Sequence, residues 1–285
     1  MKRIIIALAF IGTYITFDLF ADETYWESQI VRPYVHNSEL QRRWAWAFLA
    51  PHLQQLNGDE SILDIGCGDG RITSDLSKFV SNGFVVGIDP SKPMLEWAQR
   101  QYCSMEYPNL SFKEGGFLEP GDLSTFDVIV SFCALQHCSN QQEGILQLAK
   151  HLKPGGKVLI MIPALENKKW GEASRTIQAL PQWSAYWKGF LPRKIHTLEE
   201  YAAMMTKANL HPQRIEKVHT LDPFVDREEF LCFLLGTLPP VIPKEMRRQF
   251  WNEVIDEYLR LLPDVEKSNG TIEARFGRIE IEAII

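Results

Sequence analysis

Short apolar runs and amphipathic stretches alternate through the middle of the chain. Ser61–Ile65 (SILDI) is an apolar run carrying one acid, and Phe84–Asp89 (FVVGID) is β-branched at its centre, which suits a strand. Asn109–Lys113 (NLSFK) reads as a third strand, Phe126–Phe132 (FDVIVSF) as a buried fourth and Lys157–Ile162 (KVLIMI) as a fifth. Between them apolar residues fall at helical spacing. Arg71–Val80 is one helix; Ser91 is a good N-cap for a second through Met94, Leu95 and Ala98. A third, Gln141–Leu152, is broken by Lys153-Pro154-Gly155-Gly156. Strands alternating with helices predict a parallel sheet covered on both faces.

The flanks have other rhythms. The stretch from Asp22 to Asn57-Gly58 is aromatic and helix-compatible, and reads as a lid. Residues 164–197 hold Trp170, Trp183 and Trp187 with prolines at 181 and 192, and read as an irregular insertion or cap. Thr197 followed by Glu200 is a capping box that starts a helix to Ala208. Strand-like RIEKVHTL, a helix DREEFLCFLL ending at Gly236, a long helix Lys244–Leu262 and a strand-like C-terminus follow. The organisation expected is an apolar N-terminal segment (1–21), a helical lid (22–57) and one doubly wound domain (58–285) with its core at 61–163.

At 285 residues the chain is long enough for one large domain or two small ones. A net charge of −6 runs against a general nucleic-acid binder, which needs a basic patch. Five cysteines lack metal-ligand spacing and read as free thiols, with no metal site expected. Lys2 and Arg3 precede an apolar run, Ile4–Phe17, with a small residue at Ala21. That outline fits a signal peptide, a membrane association through residues 4–17, or a helix docked on the domain.

The sharpest signal is ILDIGCGDGR, Ile62–Arg71. The dinucleotide fingerprint G-x-G-x-x-G would place its third glycine at 71, counted from Gly66. That position is arginine, and the spacing is D-x-G-x-G-x-G from Asp64 to Gly70. Gly66 and Gly68 let backbone N–H groups approach a ligand without a Cβ in the way. Asp64 would repel a pyrophosphate but suits an ammonium group. Asp89, ending the second strand, is placed to accept from ribose hydroxyls. Together they favour an amino-acid-bearing nucleoside over a nicotinamide dinucleotide.

ILDIGCGDG, VVGIDPSKPML, FDVIVSFCALQH and LKPGGKVLIMIP, in that order over Ile62–Pro163, resemble the class I S-adenosylmethionine-dependent methyltransferases. The resemblance implies a Rossmann-like α/β sheet ordered 3-2-1-4-5-7-6, with GRIEIEAII as the antiparallel strand seven. It implies S-adenosyl-L-methionine as cofactor. Gly66 and Gly68 would line its methionine end, Asp89 its ribose, and Pro90 or Met94 its adenine; Cys67, Gly70, Phe117 and Ser131 complete the expected cofactor set with Asp64 and Gly116. Position 116 departs from the family, which commonly has an acid there to accept from the adenine amino group; Glu114 or a backbone carbonyl would have to substitute.

The lid stretch YVHNSELQ, Tyr34–Gln41, resembles the Y-x-x-x-S-x-x-Q of small-molecule carboxyl methyltransferases, including trans-aconitate-type enzymes. That implies Tyr34 and Gln41 as cofactor or substrate contacts and a small-molecule acceptor, with no nucleic acid. Gln41 and His137 are the candidate catalytic residues. His137 stands where the subgroup often has tryptophan, and reads as a base, a carboxylate donor or a structural histidine. Arg175, Arg193 and Lys194 are candidate partners for an acidic substrate, and Trp183 and Trp187 either wall a pocket or pack the cap. Methyl transfer needs in-line placement and exclusion of water. A carboxylate is already ionised at neutral pH, whereas a phenol gains from a base. The rival readings are a cofactor-binding protein without transferase activity, and a methyltransferase acting on a hydroxyl or a protein. Free thiols and a cytosolic cofactor favour a cytoplasmic active domain, tethered or not by its N-terminus.

Overall fold

The computed structural model describes residues 38–164, 168–190, 193–237 and 241–285. The apolar segment 1–21 and Tyr34 lie outside the described residues.

Seven strands form one sheet: β1 (Ser61–Ile65), β2 (Phe84–Asp89), β3 (Leu110–Glu114), β4 (Phe126–Phe132), β5 (Leu152–Pro163), β6 (His211–Phe224) and β7 (Ile272–Ile284). Their order is 3-2-1-4-5-7-6, as the resemblance implied. β1 to β5 run parallel, and β7 lies antiparallel between β5 and β6. All five residues of β1 are buried, which is why SILDI shows no in–out alternation: a central parallel strand is covered on both faces.

Helices cover both faces. The first core holds α1 (Glu39–Leu53), α2 (Arg71–Ser77), α3 (Lys92–Gln101), α5 (Lys168–Gln178), α6 (Pro181–Trp187), α8 (Arg227–Thr237) and α9 (Lys244–Leu261). The second holds α4 (Gln141–Lys150) and α7 (Leu198–Lys207). α7 begins with the expected capping box: the Glu200 N–H donates to Thr197 Oγ1 and the Thr197 N–H to Glu200 Oε2.

Three local expectations are corrected. β5 starts at Leu152, because Phe126 pairs with Leu152 before a register shift, so Lys153–Gly156 is a bulged strand entry. Within the insertion expected to be irregular, Lys168–Gln178 and Pro181–Trp187 are helical; Pro181 opens α6, the position where its missing N–H goes unused. Ser91 holds the N-cap position without a side-chain bond, and its N–H donates to Asp89 Oδ1 instead. Trp183 is fully buried, edge-on to Phe250 at 5.3 Å, with Nε1 donating to Glu253 Oε2. Trp187 packs on the same ring at 5.5 Å. These tryptophans cement the cap onto α9. Among the described residues no helix is long and apolar enough to cross a membrane.

Candidate functional site

The chain leaves β1 through a turn in which Gly66, Gly68 and Gly70 all have positive φ (78°, 54° and 75°), a region open to glycine at no steric cost. A Cβ on Gly66 would lie 2.2 Å from Ala134 Cβ, and one on Gly70 2.6 Å from the Phe112 ring. The turn is therefore wedged between the loop after β4 and the β3 side. Four of its N–H groups are already committed. Gly66 and Cys67 both donate to the Ile88 carbonyl, Gly68 to Asp89 Oδ2 and Gly70 to the Cys67 carbonyl. The expected approach of these N–H groups to a ligand is thus replaced by a closed turn that turns its acids inward.

Those acids define the site. Asp64 is 2% exposed and accepts from Thr73 Oγ1 at 2.7 Å. Burial, with Asp89 and Asp69 nearby, pushes its carboxyl up to about 7. Asp69 takes the Arg71 N–H on Oδ1, while its Oδ2 is buried and accepts no hydrogen bond among the described residues, with Arg71 Nη2 at 3.7 Å. Burial raises this carboxyl too. Gln41 Oε1, on α1, is likewise buried without a donor. Ser38, Gln41, Asp64, Gly66, Asp69 and Phe132 line one cavity of about 20 Å³, with Arg42 and Arg71 also at its wall, room for a single small polar group. A cluster of desolvated acceptors calls for a cation with several N–H donors. The acids at this cavity suit an α-ammonium better than a phosphate.

α1 is pinned over this cavity. Arg42 donates to Asp75 on α2 from Nε at 3.2 Å and Nη2 at 2.8 Å. Glu39 meets Arg71 at 3.4 Å. Further along, Asp89 is mostly buried and its carboxyl is raised by burial, against the N–H donors of Ser91 and Gly68. Each of its oxygens keeps a second lone pair for a ligand hydroxyl. Pro90 is exposed and Met94 buried. A side chain at Gly116 would meet nothing nearer than Pro90 Cδ at 3.9 Å. Glu114 is exposed, 3.9 Å from Lys92.

Some predicted residues are brought to the cavity only in part. Cys67 lines it, but its thiol lies where a Cβ on Gly87 would meet it at 3.0 Å. Ser131 is fully buried and donates to the Ile65 carbonyl, tying β4 to β1. Phe117 packs against Gly144 of α4 in the second core.

His137 ends a 3-10 turn, Leu135–His137, beyond β4 and is not among the residues lining the acid cavity. The residue is exposed, yet crowding by neighbouring protein and the Arg193 guanidinium push its pKa down to about 3. Arg175 and Lys194 are exposed. Asp69, Cys133, Gln136 and Arg278 were not singled out from sequence. Asp69 hid inside the glycine motif, and Arg278 sits in an alternating R-x-E-x-E run that reads as a solvated face.

Residues 56–217 match the family model described as a methyltransferase domain. A methyltransferase named 235L from Invertebrate iridescent virus 6 is 25% identical over 87% of this chain and 92% of its own. The trans-aconitate 2-methyltransferase of Deinococcus radiodurans is 34% identical over 36% of this chain and 38% of its own. The tRNA U34 carboxymethyltransferase of Pseudoalteromonas translucida is 32% identical over 46% and 40%. Against these last two the match spans less than half of the relative's length. The YcgJ protein of Bacillus subtilis shares the fold, with a TM-score of 0.59 at 21% identity over 84% of this chain and 97% of that one.

Proposed function

The chain belongs to the methyltransferase-domain family, class I and S-adenosylmethionine-dependent, and from that premise we propose that it methylates a small molecule at a carboxylate oxygen. The observation that carries this reading is the character of the acceptor side. Crowding by protein and the Arg193 guanidinium push the pKa of His137 down to about 3, which would make it a poor base. A phenol would need a base of higher pKa; a carboxylate, with a pKa near 4, needs none.

In this reading Asp64, Asp69 and Gln41 hold the cofactor's ammonium, and Asp89 its ribose. Bound there, S-adenosylmethionine supplies an electrophilic methyl that an ionised oxygen attacks in line. The Arg42–Asp75 pair keeps α1 closed over the cavity and excludes water from it. His137 orients the acceptor through a hydrogen bond and takes no proton. The name of the Deinococcus relative, trans-aconitate 2-methyltransferase, is that of an enzyme with an acidic acceptor. The tRNA-directed relative favours a nucleic-acid acceptor instead, against which stands the net charge of −6. Unpaired cysteines favour a reducing, cytosolic compartment.

The test is methyl transfer from labelled cofactor to a panel of small carboxylic acids, phenols and tRNA, alongside calorimetric titration of the cofactor. Methyl esters are the expected product. Cofactor binding with no product from any acid overturns the reading.

A further inference from the structure

Trp44 of α1 is only 4% exposed, and its indole Nε1 donates to both oxygens of Asp222, at 3.1 and 3.2 Å. An indole N–H can only donate, so this bond fixes which way the ring points. Asp222 is itself buried, on β6 at the edge of the sheet, and Thr220, two residues back on the same face, donates to its Oδ2 at 2.6 Å. The ring is boxed on two more sides. Phe276 meets it edge-on at 5.7 Å, and the Arg278 guanidinium carbon lies 5.9 Å from its centre. The negative ring face thus meets a cation and the positive N–H edge an acid. β6 is four strands from β1 in the sheet order, about 19 Å away at ordinary strand spacing, and Asp222 is not among the residues lining the acid cavity.

Helix geometry connects this distant acid to the cavity. Successive residues of an α-helix stand about 100° apart. Viewed down α1, Arg42 lies about 100° to one side of Gln41 and Trp44 about 60° to the other. Arg42 ties one flank to Asp75 of α2, and Trp44 ties the opposite flank to Asp222 of β6. Gln41, whose Oε1 is buried and awaits a donor, sits between the two ties. Further along α1 close apolar packing gives out. A cavity of about 510 Å³ separates Phe48 and His52 from a charged floor that includes Arg214, Arg278, Glu280 and Glu282. His52 stands 3.8 Å from Glu282, and neither of its ring nitrogens makes a hydrogen bond among the described residues. A helix tied on one flank and loosely packed beyond it can roll about that tie. At a Cα radius of about 2.3 Å, a roll of about 25° carries Gln41 about 1 Å, enough to break a hydrogen bond from its oxygen.

We propose that Asp222 is a positioning residue for the cofactor: by holding the Trp44 indole it sets the rotation of α1 that brings Gln41 Oε1 onto the acid cavity. Asp222 touches no ligand and acts through Trp44 and Gln41 alone. The inference rests on the reading above in which Gln41 meets the cofactor's ammonium, and deepens it.

The test is a calorimetric titration of the full chain with S-adenosylhomocysteine, which carries the amino-acid group, and with methylthioadenosine, which lacks it. Asp222→Leu removes the acceptor. Trp44→Phe removes the donor and keeps a ring against Phe276 and Arg278, so it serves if Asp222→Leu fails to fold; circular dichroism and thermal melts establish which variants do. Each should weaken S-adenosylhomocysteine about tenfold, the worth of a hydrogen bond to a charged group, and change methylthioadenosine less than about twofold. Asp222→Asn, which keeps an acceptor oxygen for the indole, should recover most of the affinity. Added to Gln41→Leu, either variant should cost less than about twofold more, because all three act through one contact. Equal losses for the two ligands, or full additivity with Gln41→Leu, overturns the inference and leaves Gln41 its role. So does unchanged affinity in Asp222→Leu and Trp44→Phe beside a loss in Gln41→Leu. Gln41→Leu without effect on S-adenosylhomocysteine overturns the ammonium reading and this inference with it.

Discussion

Gln41 of α1 and Asp69 of the glycine turn open onto one small cavity, each with a buried oxygen that no donor reaches among the described residues. The lid helix and the turn are far apart in sequence, so this pairing exists only once α1 is docked by Arg42 on Asp75. Gln41→Leu removes one acceptor without touching the dock. S-adenosylmethionine affinity should fall about tenfold or more, the worth of a hydrogen bond to a charged group. The ligand-free melting temperature should hold or rise slightly, because a buried acceptor without a donor has been removed. Calorimetry and thermal melts check both. Unchanged affinity would place the ammonium elsewhere.

Asp64 links that cavity to stability. Its carboxyl is raised from 3.8 to about 7 by burial, so the fold prefers the protonated form. This contribution is fully present below about pH 4 and is lost as the pH rises through about 7. Above that, the ligand-free fold holds a buried carboxylate at a cost of about 4 kcal/mol relative to low pH. Asp64→Asn keeps an acceptor for Thr73 Oγ1 and removes the charge. The variant should match wild type near pH 4, melt at a higher temperature at pH 8, and bind the cofactor poorly at both. Wild-type affinity should climb between pH 5.5 and 7.5 as Asp64 ionises, then decline above about pH 8 as the ligand's α-ammonium loses its proton. A flat affinity profile over this range would separate Asp64 from the ammonium.

The strands and the cofactor turn were readable because they are local. SILDI and FVVGID are apolar over their own length, and Thr197 with Glu200 is a motif three residues wide. What escaped depends on contacts across the chain. Gly66 is required because Ala134 stands 2.2 Å from its absent Cβ, a fact no window around Gly66 contains. The turn's N–H groups looked free until Ile88 and Asp89 of the neighbouring strand were found to take them. Arg278 lies in an R-x-E-x-E alternation typical of solvent, yet Trp44 of α1 covers it, with the guanidinium carbon 5.9 Å from the ring centre. The tryptophan-rich insertion reads as irregular because proline breaks helices in their interior, whereas Pro181 sits at a helix start.

Gly116 is a site for gain of function. The position has space, with Pro90 Cδ at 3.9 Å the nearest atom to an added Cβ, and its φ is not positive. Gly116→Asp would restore the acid that the family commonly presents to the adenine amino group. Adenosine and S-adenosylmethionine should both bind several-fold more tightly, while inosine, which lacks that amino group, should not. Equal gains for adenosine and inosine in parallel titrations would mean that residue 116 does not face the base.

His137 decides between acceptor classes through pH. With its pKa pushed down to about 3, the imidazole stays neutral from about pH 5 upward and contributes no inflection near 6.5, where a free histidine titrates. At saturating cofactor, kcat for a carboxylate acceptor should therefore be flat from about pH 6 to 9, because the nucleophile is ionised throughout. A phenol offered to the same site should show a rate that climbs with pH toward its own pKa of about 10, since no base removes the proton. His137→Asn keeps a donor for an acceptor oxygen, so kcat should stay within about threefold and KM should carry most of the change. A fall of about 100-fold in kcat, with loss of an acidic limb near pH 6.5 in the wild-type profile, would make the ring a general base and move the acceptor from the carboxylates to the hydroxyls.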